Sequence, residues 1–528
     1  MSRPRVIVTE RVAEEGIDLL KTELDVDYRD GISRKELLEV IGDYDAIIVR
    51  SVTQVDEELI NAGKKLRVAG RAGNGIDNID VEACTRKGVI VANTPDSNTL
   101  SAAELTIGHI LASSRNMVAA NNLTKSGTWD RKPFRGVELL GKTVGIVGLG
   151  RIGSMVAERL NAFGMNVIAY DPYILDERFA KFGAIKKDTL EELVRESDFI
   201  TVHTPRNEET KGMIGKKEFK IAKKGVRVIN VARGGIINEK ALLEALKSGK
   251  VASAAMDVFE DEPATNNPLF EFSNVTVTPH LGADTYEAQE RVGTNIADQV
   301  IKALKGEIVP NLVNLPTLVR RDLEFLKPFI DLAEAMGKVY YQLEKTSIDR
   351  VEITFNGELA MKDTEILVIA FLKGLMAPVL SDKVNYVNAR LLADERGIKV
   401  FDRKDKSEGG YVDLIRAKVF NHAHTLDISG TLTGIGEPTI VEFNGYDTDI
   451  LPVNYVVIAE NDDRPGVIGP FTSAIGDSGI NIAMMRVARK VKGDKALMVV
   501  NVDNPVNKAT LANLKAVDGI RSVKVLRF

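Results

Sequence analysis

The chain has 528 residues, of which 44% are hydrophobic and 27% are charged, and its 70 basic and 75 acidic side chains give a net charge of −5. This length predicts three or four domains, and this composition is typical of globular proteins in water. The nearly balanced charge gives no reason to expect a nucleic acid or an anionic membrane as partner. No apolar run is long enough to span a bilayer.

The single cysteine, Cys84, excludes an intramolecular disulfide and a zinc–cysteine cluster. It fits a reducing compartment, so a cytoplasmic location is expected. A strand-like apolar segment begins at Arg5, so no signal peptide is expected. No metal site is predicted.

The first hundred residues alternate short apolar segments with helical ones, which predicts a parallel sheet flanked by helices. Arg50 and Arg71 each follow a predicted strand, and Asn74 and Gly75 form a turn just after the second arginine. Ligands of open α/β sheets bind at the carboxyl ends of the strands, so these residues form a candidate anion site. The alternative is that each arginine is a solvated charge at a strand end.

A helix is predicted over residues 102–120, opened by a capping box of Ser101 and Glu104. We interpret His109 on this apolar helix as a packed side chain rather than a ligand. The helix leads from the first segment to the next and is a candidate hinge. The irregular stretch that follows holds the only tryptophan, Trp129, and is either a partner contact or a surface loop.

The chain is organised around a strand–turn–helix–strand pattern over residues 141–171. Gly148 makes the tight turn, Gly150 lets the backbone approach a pyrophosphate, and Gly153 lets the next helix pack closely on the sheet. The N-terminus of that helix favours the anionic pyrophosphate. Asp171, after the second strand, can accept hydrogen bonds from both ribose hydroxyls and would repel a 2′-phosphate. The pattern therefore predicts a dinucleotide site that favours NAD over NADP.

Four further predicted strands end in polar residues at the edge where a cofactor would lie. They are followed by His203-Thr204-Pro205, by Arg233, by Asp257 and by His280. An arginine can hold a carboxylate, a histidine can take the proton of an alcohol, and a carboxylate such as Glu262 can orient that histidine. These groups fit the oxidation of a 2-hydroxy acid or the reduction of a 2-keto acid. His203 competes as the base, although its position suits a cofactor-lining turn better.

These motifs resemble, in order and spacing, those of the D-2-hydroxyacid dehydrogenase family, and they lie at residues 147–153, 203–205, 231–235, 257–263 and 278–280. The resemblance implies that Arg233 binds the carboxylate and hydroxyl region of the substrate, that His280 is the general acid/base, and that Glu262 orients it. Asp257 would lie near the nicotinamide amide. The implied NAD site comprises Gly148, Gly150, Arg151, Ile152, Gly153, Asp171, Thr204, Pro205, Val231, Arg233, Asp257, His280 and Gly282.

Within that family, residues 50–51, residues 71–75 and the Trp129 loop resemble the branch that oxidises 3-phosphoglycerate with NAD. The resemblance implies that the two strand-end arginines hold the substrate phosphate. It also implies a homo-oligomer, expected to be a dimer of dimers, in which Arg131 reaches the site of a neighbouring subunit. The implied substrate residues are Arg50, Ser51, Arg71, Asn74, Gly75 and Arg131.

The second half of the chain has no glycine-rich phosphate loop. Residues 317–452 resemble the intervening domain of that branch, which is proposed to bind an anionic effector or substrate. His422 and His424 are placed on a strand, where alternate residues share a face. We prefer a half-exposed strand to a metal site there.

The tail from Asn454 has the pattern β-α-β-β-α-β and resembles an ACT domain, a small ferredoxin-like module that binds amino acids between two copies. In the implied effector site, Asp463 takes the ammonium group of L-serine and Asn481 makes a hydrogen bond across the dimer. The family often has a histidine in the loop before the helix, where this chain has residues 461–463 instead. The alternative is that the tail only dimerises.

We therefore predict an α/β chain of four domains. A flavodoxin-like substrate domain covers residues 1–98 and 284–316, and a Rossmann-type NAD domain covers residues 99–283. An α+β intervening domain covers 317–452, and a ferredoxin-like ACT domain covers 453–528. The expected reaction is NAD-dependent oxidation of 3-phosphoglycerate to 3-phosphohydroxypyruvate, the first step of L-serine synthesis, with feedback by L-serine. The alternatives are a reductase for glyoxylate or hydroxypyruvate and a non-enzymatic NAD sensor.

Overall fold

The structure is a computed structural model that describes residues 3–307, 309, 311–316, 320–344, 346–380, 384–406, 410–422 and 424–528. Its strands form four separate sheets, and short 3₁₀ turns lie at Ile41–Asp43, Lys132–Phe134, Pro268–Glu271 and Glu358–Met361. Across the described residues, no helix is both long and apolar enough to cross a bilayer. The same residues contain no group of His, Cys, Asp and Glu arranged to hold a metal ion.

The N-terminal part of the chain folds into a five-stranded parallel sheet with helices between its strands. Its elements are β1 (Arg5–Val8), α1 (Glu14–Glu23), β2 (Asp25–Tyr28), α2 (Arg34–Val40), β3 (Ala46–Val49), α3 (Glu57–Ala62), β4 (Val68–Arg71), α4 (Val81–Lys87) and β5 (Ile90–Asn93). The strands are ordered β2-β1-β3-β4-β5, the flavodoxin-like order that was predicted. The continuous apolar run of β3 is buried throughout because helices cover both faces of the sheet.

Two consecutive helices, α5 (Thr99–Ser114) and α6 (Met117–Lys125), connect the first sheet to the second. The prediction of one helix over residues 102–120 with a capping box is therefore wrong. The first helix begins at Thr99, which places Ser101 inside its first turn, where its buried Oγ has no hydrogen-bond partner in the described part of the chain. Asn116 has a left-handed φ of 51°, and this conformation interrupts the helix.

The second sheet contains seven parallel strands. Its elements are β6 (Thr143–Val147), α7 (Arg151–Ala162), β7 (Asn166–Tyr170), α8 (Asp176–Lys181), β8 (Ile185–Lys186), α9 (Leu190–Glu196), β9 (Phe199–Val202), α10 (Lys216–Ile221), β10 (Val226–Asn230), α11 (Glu239–Lys247), β11 (Val251–Met256) and β12 (Val275–Val277). The order β12-β11-β10-β9-β6-β7-β8 is Rossmann-like, as predicted. The chain changes direction between β6 and β9, so a crevice opens at their carboxyl ends.

The next helix, α12 (Tyr286–Leu304), returns to the first sheet and packs on α1, β4 and β5. Its contact with α1 is close because Gly16 and Gly293 meet there: a Cβ at Gly16 would lie 2.5 Å from the carbonyl carbon of Gly293. Leu312 then forms an isolated antiparallel bridge with Ala92 of β5. The domain boundaries drawn from the sequence stay a prediction.

The third sheet is mixed and packs against a long helix, which in turn packs against a second long helix. Its elements are α13 (Arg320–Leu343), β13 (Arg350–Gly357), α14 (Glu365–Leu380), α15 (Ala389–Glu395), β14 (Lys399–Asp405), β15 (Asp413–Phe420), β16 (Thr425–Leu432), β17 (Pro438–Phe443) and β18 (Tyr446–Ile450). The strands are ordered β14-β13-β15-β16-β17-β18. A Cβ at Gly374 would lie 2.0 Å from the carbonyl oxygen of Glu334, so this glycine permits the close packing of α13 and α14.

His422 and His424 lie in the turn between β15 and β16, so their placement on a strand is wrong. β15 ends at Phe420, and the turn closes through a 3.0 Å hydrogen bond from the N–H of Asn421 to the carbonyl oxygen of His424. His422 Nδ1 lies 3.2 Å from a carboxylate oxygen of Asp349. Side chains in a turn do not follow the alternation of a strand, so the reason for expecting the two rings on one face no longer holds.

The fourth sheet is wholly antiparallel and has the ferredoxin-like pattern that was predicted. Its elements are β19 (Tyr455–Asp462), α16 (Ile468–Asp477), β20 (Ile482–Arg489), β21 (Lys495–Val502), α17 (Lys508–Ala516) and β22 (Ile520–Arg527), with strand order β20-β21-β19-β22. One face packs on its own helices, and the other joins the core of the preceding unit through Val456, Ile458 and Leu497. β19 continues to Asp462, so only the last residue of the segment 461–463 lies outside the strand.

Candidate active site

The predicted glycines surround the turn between β6 and α7. Gly148 has a φ of +90°, and a Cβ there would lie 2.8 Å from the carbonyl oxygen of His203. A Cβ at Gly153 would lie 2.1 Å from the carbonyl oxygen of Gly148, so both positions require glycine. The space that a Cβ would occupy at Gly150 is open: apart from its chain neighbours, no described residue has a heavy atom within 4 Å of it. This space lies at the N-terminus of α7, where the backbone N–H groups suit a pyrophosphate.

Asp171 lies directly after β7, next to the glycine turn. Its carboxylate accepts hydrogen bonds from the N–H of Leu149 at 2.9 Å and from the N–H of Tyr173 at 3.1 Å. A carboxylate has about four lone-pair sites, so these two bonds fix its position and leave capacity for ribose hydroxyls. The geometry fits the predicted role of Asp171.

A cleft of about 340 Å³ lies between the first and second sheets and joins the predicted residues of both. Arg151 lies at its rim, where Nε is 2.7 Å from Asp96 Oδ1 on the other side. The sequence motifs did not indicate Asp96. The residues lining the cleft are Asn74, Gly75, Ile76, Asp77, Pro95, Asn98, Thr99, Ala102, Arg151, Ile152, His203, Thr204, Pro205, Arg206, Val231, Ala232, Arg233, His280, Gly282 and Ala283.

His203 lies on the cofactor side of this cleft. Its Nε2 is 3.0 Å from Thr201 Oγ1, and its Nδ1 is enclosed without a partner among the described residues. Burial lowers the pKa of His203 to about 3. The ring is therefore a weak proton acceptor near pH 7, which argues against His203 as the acid/base group and leaves an enclosed polar atom for a ligand.

Asp257 holds the backbone of the segment that carries the other histidine. The residue is fully buried, and its carboxylate accepts hydrogen bonds from the N–H groups of Leu281 at 2.7 Å and Gly282 at 2.9 Å. It also accepts a 2.5 Å hydrogen bond from Thr278 Oγ1, which in turn lies 2.9 Å from Nε2 of the buried His109. His109 is packed, as predicted, and Asp257 fixes the segment through its backbone.

His280 and Glu262 form a direct pair, with His280 Nδ1 2.7 Å from Glu262 Oε2. Glu262 Oε1 accepts a hydrogen bond from the N–H of Phe259 at 2.9 Å. Burial tends to raise the pKa of Glu262, but the hydrogen bonds from His280 and Phe259 outweigh it and hold this pKa below its usual value. The ionised carboxylate accepts the Nδ1 proton, so Nε2 is the nitrogen that can take a proton from a substrate.

Arg233 follows β10 and spans the cleft toward the first sheet. A Cβ at Gly75 would lie 2.5 Å from Arg233 Nη2, so this glycine makes room for the guanidinium. Arg233 Nε lies 3.5 Å from Asp77 Oδ2, and Nη1 donates to the carbonyl oxygen of Ala232 at 2.8 Å. The guanidinium thus lies where residues from both sheets meet.

Arg71 lies deeper on the same side, and its cationic neighbours are Arg50 and Arg233. Nη1 donates to the carbonyl oxygen of Ala72 at 2.9 Å, whereas the buried Nε has no partner among the described residues. Burial, together with the positive charges of Arg233 and Arg50, lowers the pKa of Arg71 to about 10. The guanidinium group at the end of β4 and those that follow β3 and β10 therefore lie close enough to repel one another, and an anion would relieve this repulsion.

The loop Arg50–Thr53 carries the other predicted phosphate ligands, Arg50 and Ser51. The sequence motifs did not indicate Glu10, whose carboxylate binds the backbone of this loop, or Asn78, which binds its carbonyl groups. Glu10 follows β1 closely, as Arg50 follows β3, so the rule that selected Arg50 could also have found Glu10.

The structure does not bring every predicted residue to the cleft. Trp129 is 93% exposed on the loop after α6, and Arg131 on that loop does not line the cleft of its own chain. A contribution of Arg131 to a neighbouring subunit stays a prediction.

The two predicted effector residues also lie apart. Asp463 accepts a 2.7 Å hydrogen bond from the N–H of Gly493, and Asn481 donates to Asp503 at 2.7 Å. They lie beyond opposite ends of β21, a strand of eight residues that is about 23 Å long at 3.3 Å per residue. One chain alone does not join them, so the effector site stays a prediction that requires a second copy.

Three family models match successive parts of the chain. Residues 107–282 match the NAD binding domain of D-isomer specific 2-hydroxyacid dehydrogenases, residues 325–444 match the D-3-phosphoglycerate dehydrogenase intervening domain, and residues 455–519 match the ACT domain. The second sheet is thus an NAD-binding unit, and the order of the later units is the one that the sequence predicted.

The chain is similar over nearly its whole length to proteins named D-3-phosphoglycerate dehydrogenase. The protein of Methanocaldococcus jannaschii is 43% identical over 522 residues, covering 99% of both chains. Those of Archaeoglobus fulgidus and Bacillus subtilis are 44% and 40% identical, covering 98% and 99% of each chain.

Among solved structures, the chain resembles a D-lactate dehydrogenase from Aquifex aeolicus complexed with NAD and lactic acid. The TM-score is 0.53 at 29% identity, over 59% of this chain and 100% of that one. A glyoxylate reductase from Paecilomyes thermophila gives a TM-score of 0.55 at 32% identity, over 59% of this chain and 99% of that one.

Proposed function

The chain belongs to the D-3-phosphoglycerate dehydrogenase family and is an NAD-dependent oxidoreductase, and from that premise we propose that it oxidises 3-phosphoglycerate to 3-phosphohydroxypyruvate. The observation that supports this substrate is the convergence of Arg50, Arg71 and Arg233 beside the His280–Glu262 pair. A phosphorylated hydroxy acid carries two anionic groups, and these cations can bind both.

In this proposal the residues of the first sheet bind the phosphate. Arg50, Arg71 and the hydroxyl of Ser51 would hold it, next to the turn of Asn74 and Gly75. Arg233 would hold the carboxylate from the opposite side of the cleft. Substrate bound in this way would contact both units, so binding would favour closure of the cleft and exclude water from the reacting atoms.

The proton transfer follows from the His280–Glu262 pair. Nε2 of His280 would take the proton of the C2 hydroxyl, and the carboxylate of Glu262 would stabilise the resulting imidazolium. NAD, when bound, supplies the hydride acceptor. The residues that would hold it are Gly148, Gly150, Arg151, Ile152, Gly153, Asp171, Thr204, Pro205, Val231 and Gly282. The open space at Gly150 and the enclosed Nδ1 of His203 support this assignment.

The proposal extends to regulation and assembly. The ACT match supports L-serine, the end product of the proposed pathway, as an effector that binds between two ACT units through Asp463 and Asn481. An effector would act by stabilising a state of the enzyme that resists closure. We place the enzyme in the cytoplasm as a homotetramer, with the four domains divided as predicted from the sequence.

The test is NAD reduction by purified protein with 3-phosphoglycerate, with and without L-serine. Activity that L-serine suppresses would support both the proposed reaction and the proposed feedback. Activity that L-serine does not change would support the reaction and contradict the feedback. Hydroxypyruvate and glyoxylate, assayed with NADH, are the matched unphosphorylated substrates. A higher kcat/KM with either of them than with 3-phosphohydroxypyruvate would assign the site to a different 2-keto acid.

A further inference from the structure

Four consecutive peptide N–H groups converge on one carboxylate at the edge of the proposed phosphate site. Glu10 Oε1 accepts hydrogen bonds from the N–H of Arg50 at 2.9 Å and of Thr53 at 2.9 Å. Oε2 accepts from the N–H of Ser51 at 3.1 Å and of Val52 at 3.1 Å. The whole backbone of the loop Arg50–Thr53 is therefore bound to the side chain of Glu10.

The carbonyl groups of the same loop are bound from another direction. Asn78 Nδ2 donates to the carbonyl oxygen of Arg50 at 2.9 Å and to that of Thr53 at 2.6 Å, and Asn78 is 8% exposed. Thr53 Oγ1 also lies 2.9 Å from Thr9 Oγ1, at the end of β1. Residues that follow β1 and β4 thus hold the loop that follows β3.

This arrangement decides how the loop can bind an anion. Successive backbone N–H groups often form an anion-binding concavity, but here all four are already used by Glu10. A phosphate must therefore be bound by the side chains of Arg50 and Ser51, whose directions depend on the backbone that Glu10 fixes. Burial tends to raise the pKa of Glu10, but the hydrogen bonds from Thr53, Arg50 and Val52 outweigh it and hold this pKa below its usual value. The carboxylate is therefore ionised, and hydrogen bonds to an ionised acceptor are strong.

We propose that Glu10 is a positioning residue that fixes the loop Arg50–Thr53 so that Arg50 can bind the substrate phosphate. The proposal rests on the proposed function for its substrate. Glu10 also stabilises the buried cation of Arg71, because its negative charge counters part of the repulsion from Arg50 and Arg233. Glu10 does not touch the substrate itself, and its effect is selective for the phosphorylated end of the molecule.

The experiment compares Glu10→Gln with Glu15→Gln, which removes an exposed carboxylate from the first turn of α1. The glutamine can accept only through its oxygen, so its NH₂ group faces two backbone N–H donors and the loop loosens. We expect KM for 3-phosphoglycerate to rise about tenfold or more, as when one charge-assisted hydrogen bond is lost. KM for NAD and for hydroxypyruvate should change far less, and Glu15→Gln should match the wild type. Glu10→Asp, which keeps the charge but reaches fewer N–H groups, should fall between.

Limited trypsin digestion, read by mass spectrometry, gives a readout independent of activity. Loosening should expose the Arg50–Ser51 bond, so the native Glu10→Gln enzyme should be cut there faster than the wild type.

A double variant tests whether Glu10 acts through Arg50. When Arg50→Gln is already present, adding Glu10→Gln should raise KM for 3-phosphoglycerate little further, since both changes act through the Arg50 guanidinium. Three outcomes would overturn the proposal. The first is faster cleavage with an unchanged KM for 3-phosphoglycerate, and the second is an equal rise in KM for 3-phosphoglycerate and for hydroxypyruvate. The third is full additivity of the Glu10→Gln and Arg50→Gln effects on KM. If the wild-type enzyme had no activity on 3-phosphoglycerate, the proposed function would be wrong. The rate of trypsin cleavage at Arg50–Ser51 would still show whether Glu10 holds the loop.

Discussion

Nδ1 of His280 lies 2.7 Å from Oε2 of Glu262, although the two residues are 18 positions apart in the chain. The His280 N–H also donates to the carbonyl oxygen of Asp257 at 2.8 Å, so the ring is oriented and its backbone is fixed. A base held in this way keeps one tautomer and needs little reorganisation when the proton moves.

Replacement of His280 by alanine should lower kcat by about 10²–10⁴-fold, the usual contribution of a positioned general acid/base. NAD affinity, measured by titration calorimetry, should stay within a few-fold of the wild type because the glycine turn and Asp171 are untouched. A loss of NAD binding that accounts for the lost activity would assign His280 to the cofactor instead.

His203→Gln should have a different effect. The ring of His203 is neutral near pH 7 because burial lowers its pKa to about 3, so this residue does not supply the titrating base. We expect KM for NAD to rise, whereas the dependence of kcat on pH keeps its shape. The disappearance of a limb of the pH profile in His203→Gln would make His203 the acid/base group.

Asp171→Ala should reduce the preference for NAD over NADP. The carboxylate is held by the N–H groups of Leu149 and Tyr173, where it can accept from ribose hydroxyls and repel a 2′-phosphate. The ratio of kcat/KM for the two cofactors measures this effect, and an exposed control such as Asp176→Ala should leave the ratio unchanged. An unaltered ratio in Asp171→Ala would rule out the ribose contact.

Inorganic phosphate should stabilise the wild type in a thermal unfolding scan, because an anion relieves the repulsion among the three arginines. Arg71→Gln should abolish much of this increase in Tm, since it removes the cation whose pKa is lowered by burial and by the charges of the other two. Arg86→Gln, on the surface of α4, is the matched control. An equal increase in Tm in Arg71→Gln and in the wild type would place the anion elsewhere.

The Glu262 carboxylate should contribute to stability in a pH-dependent way. Its pKa in the folded protein is lower than its usual value of 4.5, so its contribution is present above pH 4.5 and is lost as the pH falls through the folded-state pKa. The Tm of Glu262→Gln should therefore lie below that of the wild type at pH 7 and approach it in acid. A constant difference in Tm from pH 7 to acid pH would contradict the pairing.

Local patterns in the sequence determined much of this protein. The strand–glycine–helix pattern around Gly148 and the polar residues after successive strands depend on close neighbours, and a parallel sheet collects such strand ends at one edge. The resemblance of residues 317–452 to an intervening domain and of the tail to an ACT domain predicted the order of the later units, which the family models bear out. The helix start at Ser101 and the placement of His422 failed because several starts and turns satisfy the same local preferences, and packing selects among them.

Only the tertiary structure decided which residues meet across long separations. No spacing shows that Glu10 binds the backbone of residues 50–53, that Asp96 reaches Arg151, or that His203 is enclosed while His280 is paired with Glu262. Burial and charge set the behaviour of these groups, and both depend on which segments the fold brings together. The sequence therefore determines which chemical groups the site contains, whereas the packing of the two sheets around the cleft determines how these groups pair and ionise.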